Sequence, residues 1–95
     1  MHVIAKKMLK SFWEGHPDSE TALLRWYQIV SRTVFHTFAD LRLVFPTADL
    51  VGMWVVFNIG GNKYRLITAV HFNRNKAYIR HILTHSEYDE GSWKR

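Results

Sequence analysis

The apolar positions change their period once along the chain, at Pro46, and that change separates a helical half from a strand-rich half. From Ala5 onward, Ala5, Met8, Leu9, Phe12 and Trp13 recur at helical spacing, with Lys6, Lys7, Lys10 and Glu14 facing away. Gly15-His16-Pro17 ends this helix, because proline disfavours helical geometry in the residue before it. Asp18 or Ser19 is placed to cap a second helix whose apolar stripe is Ala22, Leu23, Trp26, Tyr27, Val30 and Val34. A third, short helix is expected to start at Thr37, where Asp40 completes a capping pattern, and to stop before Pro46. Met1–Ile4 reads as a short edge strand.

Beyond Pro46 the runs Met53–Ile59, Lys63–Phe72 and Ala77–Leu83 are rich in Val, Ile, Phe and Tyr and are separated by turn residues. Gly60-Gly61 predicts a two-residue hairpin turn, and Asn73-Arg74-Asn75-Lys76 a second turn, giving an antiparallel meander. Thr84-His85-Ser86-Glu87 fits a capping box, so a short helix follows the last strand. The expected fold is therefore α+β: one domain over 1–95, with N-terminal helices packed on a three-to-four-stranded antiparallel sheet and a short C-terminal helix.

Register then assigns faces. A turn centred on Arg74-Asn75 sets Phe72 opposite Ala77, Val70 opposite Ile79 and Leu66 opposite Leu83, all on the core side with Tyr64, Val55 and Phe57. The other face collects Val56, Asn58, Lys63, Arg65, Ile67, His71, Tyr78 and Arg80, with Trp54 projecting to where it can stack on a base. This face is too polar for a second core and is expected to be a concave binding surface.

Charge reinforces that expectation. The net charge is +5, and the whole excess lies in residues 51–86, where Lys63, Arg65, Arg74, Lys76 and Arg80 meet no acid. Concentrated basic charge points to a polyanion, nucleic acid first. The chain has no Cys, which excludes disulfides and thiolate metal sites. No apolar run is long enough for a signal peptide or a membrane span, so a cytoplasmic protein is expected. His81 and His85 have ligand-like spacing but no third ligand, and no metal or other cofactor is expected.

The capping box would bring His85, Tyr88 and Asp89 beside the strand that carries Arg80, with Asp89 read as a charge near the helix terminus. An imidazole and a phenol near two guanidiniums suit RNA transesterification. A base takes the 2′-hydroxyl proton, an acid protonates the leaving 5′-oxygen, and cations hold the charge on phosphorus. Arginine suits the last role through its bidentate fork. Pairing of Arg65 and Arg80 with Glu87 or Asp89 in a structural cluster is the competing reading.

The stretch Val56-Phe57-Asn58-Ile59-Gly60-Gly61-Asn62-Lys63-Tyr64-Arg65-Leu66, then Tyr78-Ile79-Arg80 and Thr84-His85-Ser86-Glu87-Tyr88-Asp89, resembles the HigB family of bacterial type II toxins, within the RelE/ParE superfamily. The resemblance implies cleavage of messenger RNA, generally on the ribosome, and inhibition by a HigA-like antitoxin with a helix-turn-helix DNA-binding domain. It implies that Arg65 and Arg80 contact the scissile phosphate and that His85 and Tyr88 handle protons. Asn58, Asn62, Lys63 and Tyr78 would line the RNA groove, to which the basic stretch adds Arg74 and Lys76. The alternative on the same fold is a ParE-like toxin that inhibits gyrase by binding it and cuts nothing.

Overall fold

Both halves of the chain form the elements their patterns predict, with limits moved by local chemistry. In the computed structural model, which describes residues 1–94, the order is β1 (His2–Ile4), α1 (Lys7–Gly15), α2 (Glu20–Ser31), α3 (Phe38–Val44), β2 (Asp49–Val51), β3 (Trp54–Ile59), β4 (Tyr64–His71), β5 (Lys76–Thr84) and α4 (His85–Glu90). Short 3-10 turns lie at Pro17–Ser19, Phe72–Arg74 and Ser92–Lys94. Ala5 does not open the α1 stripe. It is exposed and sits at φ 70°, a left-handed conformation that costs an L-residue roughly 1–2 kcal/mol. Ser19 precedes α2 without capping it, because its hydroxyl donates instead to the His16 carbonyl at 2.7 Å. Val34 lies past the end of α2 and is exposed. Thr37 does cap α3, accepting from the Asp40 amide at 3.1 Å.

The strands form one five-stranded sheet in the order β1-β5-β4-β3-β2. It is mixed, because β1 runs parallel to β5 (Val3 beside Ala77). The additional strand, β2, is only three residues long, too short to carry a readable period.

Two turns are longer than the pattern predicts, yet the faces survive. Ile59 pairs with Tyr64, so the first loop is the four residues Gly60–Lys63, with Gly60 and Gly61 at φ 63° and 68°. At the second turn Val70, not Phe72, lies opposite Ala77, and Asn75 takes φ 57°. Each shift is by two residues, an even number, so no side chain changes sides. The exception is a β-bulge: Thr68 pairs with Ile79 but Ile67 with His81, leaving Arg80 as the extra residue. Leu66 consequently faces Ile82, and Leu83 moves to the opposite face.

The main core lies between the helices and one face of the sheet. It joins Leu9 of α1, Leu23, Trp26 and Val30 of α2 and Leu41 of α3 to Val55, Phe57, Leu66 and Ile79. The opposite face carries an apolar patch that the sequence reading does not anticipate: Val56, Ile67 and Trp93 are buried together, with Trp54, Leu83 and Tyr88 packed around them. Trp54 is thus a packing residue there.

Asp18 ties the helical layer to the sheet. Its carboxylate accepts from the Tyr64 hydroxyl at 2.6 Å and pairs with Lys63 at 3.1 Å. The Tyr64 bond, then Lys63, holds the Asp18 carboxyl below its ordinary 3.8, and the same bond raises the Tyr64 phenol above its ordinary 10.0. A lowered carboxyl contributes stability above its unfolded pKa that is lost as pH falls through its folded one. A raised phenol contributes stability below its unfolded pKa that is lost as pH climbs through its folded one. Tyr64→Phe should therefore lower the melting temperature by a constant amount between about pH 5 and 9, with the deficit shrinking below about pH 4. Thermal melts across that range check this; a deficit unchanged into strong acid would show that the ion is not its source.

Candidate active site

On the sheet face turned away from α1 and α2, Arg65 sits at the β4 end nearest α4. It lies across from Asn58 on β3 and from Leu83 on β5. Its residue is only 7% exposed, and no carboxylate pairs with it among the described residues. Five contacts hold the guanidinium instead. Nη1 donates to the Asn62 and Tyr64 carbonyls at 3.2 and 3.1 Å, and Nη2 donates to Asn62 Oδ1 at 2.8 Å. Nη2 also meets His85 Nδ1 at 3.4 Å, and Cζ lies 5.4 Å from the centre of the Tyr88 ring.

These contacts fix chemistry at His85. Arginine has donors only, so Nδ1 facing Nη2 must accept, and the proton of the neutral imidazole lies on Nε2. Nε2 in turn faces Asp89 Oδ2 at 3.5 Å, one helical turn along α4. The first turn of that helix is secured by the predicted capping box: Thr84 Oγ1 accepts from Glu87 N at 3.2 Å and Glu87 Oε1 from Thr84 N at 2.9 Å. The His85 amide also donates to the Lys63 carbonyl at 3.0 Å, pinning the helix start to the β3–β4 loop. Tyr88 is stacked on Trp93 with ring centres 5.2 Å apart, and the Trp93 indole donates to the Tyr88 carbonyl at 3.0 Å.

The sequence-derived candidates therefore divide into two groups. Arg65, His85, Tyr88 and Asn62 come together, with Asn58 beside them. Arg80 shares their face but makes no hydrogen bond or ion pair with them; it is exposed and lies 5.7 Å from the Tyr78 ring. Tyr78 packs edge-on against His71. Arg74 and Lys76 lie at the opposite end of the face, roughly 20 Å along the strands from Arg65. Lys63 is drawn round to Asp18, away from this surface. The structural cluster of arginines with Glu87 or Asp89 does not form, since Glu87 closes the capping box and Asp89 faces His85.

One pairing and one residue are not identified from the sequence. Asp89 partners His85, a relation for which the i,i+4 spacing is the available signal. Trp93 backs Tyr88 from a tail whose pattern gives no such signal.

A family model described as HigB toxin, RelE-like toxic component of a toxin–antitoxin system, matches residues 19–91. The mRNA interferase toxin HigB of Escherichia coli K12 is 37% identical over 92 residues, covering 94% of this chain and 88% of that protein. The mRNA interferase HigB of Shigella flexneri matches to the same extent. That of Escherichia coli O6:H1 is 31% identical over 93 residues, covering 95% and 90%.

Proposed function

The chain belongs to the HigB family of RelE-like toxins, and from that premise we propose that it is an mRNA interferase, an endoribonuclease that cuts messenger RNA on the ribosome by 2′-hydroxyl attack. The observation that carries this reading is the contact of Arg65 Nη2 with His85 Nδ1 beside the Tyr88 ring. In the reaction the 2′-oxygen bonds to phosphorus as the 5′-oxygen leaves, giving a 2′,3′-cyclic phosphate and a 5′-hydroxyl. His85 and Tyr88 handle the two proton transfers. With Nδ1 turned to Arg65, Nε2 is the imidazole atom that faces away from the guanidinium.

The arginines take different roles from those the resemblance implies. All four terminal N–H groups of Arg65 are committed within the protein, so it orients His85 and supplies positive potential. Arg80, free and exposed, is the arginine that grips phosphate. The residues supply the proton transfers and the charge compensation without a metal ion. A HigA-like helix-turn-helix antitoxin is the natural inhibitor, and the cytoplasm the place of action. Mapping mRNA ends in a translating extract with and without ribosomes tests the reading. New 5′-hydroxyl ends that require ribosomes support it, and intact transcripts with failed DNA supercoiling would favour the gyrase-binding alternative.

Salt dependence follows from the same placement. With Lys63 paired and Arg65 enclosed, Arg74, Lys76 and Arg80 are the cations of residues 51–86 left to meet phosphates. The log–log slope of single-stranded RNA affinity against salt should be about −2, from three contacts at roughly −0.7 each. A titration of a labelled oligonucleotide reads this slope, and a value near zero would remove the face as the RNA site.

A further inference from the structure

A cavity of about 540 Å³ lies between α1 and α2, in the helical layer and on the far side of the sheet from the Arg65 cluster. Its floor is apolar, built from Leu9, Trp13, Leu24 and Tyr27. Leu24 is 37% exposed, whereas Leu23, Trp26 and Val30 of the same helix are buried. The rim is cationic: Lys6, Lys7 and Lys10 line it against the single acid Glu14. None of these lysines is in an ion pair among the described residues, and Lys6 Nζ lies 5.5 Å from the centre of the Tyr27 ring. These lysines belong to the first half of the chain, outside the basic stretch assigned to RNA.

We propose that this cleft docks an acidic amphipathic helix of the protein that neutralises the toxin, an inference that rests on the toxin–antitoxin reading of the chain. A helix laid between α1 and α2 buries apolar side chains at i, i+3 and i+4 against Trp13, Leu24 and Tyr27, and its flanking carboxylates meet the three lysines. An RNA strand satisfies the lysines and can stack on Trp13 and Tyr27, but it leaves the exposed Leu24 without apolar surface to cover it. The occupant sits behind the sheet, so it leaves His85 and Tyr88 uncovered.

The test uses the full chain and its cognate antitoxin, purified separately, with dissociation constants measured by titration and RNA cleavage measured on the free toxin. Leu24→Asp should weaken the complex roughly 30-fold or more, as for an anchor central to an interface. The triple Lys6→Glu, Lys7→Glu, Lys10→Glu variant should weaken it about tenfold and flatten its salt dependence. The triple Lys→Arg variant should bind as wild type does. Cleavage by all of these free toxins should stay within about twofold of wild type. Unchanged antitoxin affinity in both the Leu24→Asp and Lys→Glu variants overturns the proposal. So does a loss of RNA or ribosome binding in the Lys→Glu variant with antitoxin affinity intact, which would make the cleft a nucleic-acid contact. If the antitoxin binds wild type without suppressing cleavage, the toxin reading fails, while the affinities still report on the cleft.

Discussion

Substituting glutamine for His85 is expected to lower RNA cleavage by about 10²–10⁴-fold, the range for a positioned acid–base group, with the melting temperature essentially unmoved. The fold should survive because His85 is bound to the rest of the protein mainly through its backbone. Its amide meets the Lys63 carbonyl, and the capping box that starts α4 is made by Thr84 and Glu87. The side chain itself is about half-exposed, and its polar contacts among the described residues are with Arg65 and Asp89. Glutamine keeps a polar group near Arg65 but cannot gain and lose a proton in the reaction. Tyr88→Phe is the companion experiment, since it keeps the ring stacked on Trp93 and beside Arg65 and deletes only the hydroxyl. End-point mapping together with single-turnover rates on a defined mRNA reads both variants. Wild-type rates in the two together would take the chemistry away from α4.

The contrast between what the sequence shows and what it hides follows from parity and distance. Faces on β3 and β4 are readable because both turn lengths differ from expectation by two residues, which moves partners along the strand without turning any side chain over. Leu83 is misplaced because a bulge adds one residue on β5, an odd shift with no sequence mark beyond Arg80 itself. Lys63 is misplaced for another reason: its partner, Asp18, is 45 residues away, and an exposed lysine goes to a carboxylate that only the tertiary fold supplies. The Thr37 cap and the Thr84–Glu87 capping box that starts α4 are local and are therefore legible. The enclosure of Arg65 is not, because it depends on Asn62 folding back over three residues and on α4 arriving from the end of the sheet.

That enclosure leads to the second large effect. Arg65→Lys should lower cleavage by about 10²–10³-fold, the scale of losing one preorganised electrostatic donor, although charge is conserved. A lysine ammonium has three donors on one nitrogen and cannot reach the Asn62 and Tyr64 carbonyls, the Asn62 side chain and His85 Nδ1 together. Released from Nη2, the imidazole loses the contact that selects its tautomer. Arg65→Ala should do the same and also lower stability, because it leaves the buried Tyr64 carbonyl without its side-chain donor and frees Asn62. The decisive measurement is the double variant Arg65→Lys with His85→Gln. If Arg65 works by orienting His85, the double variant should be little worse than His85→Gln alone, as for residues that act as one unit. If the two losses multiply, Arg65 meets the phosphate independently of His85, and the division of labour assigned to Arg65 and Arg80 is reversed.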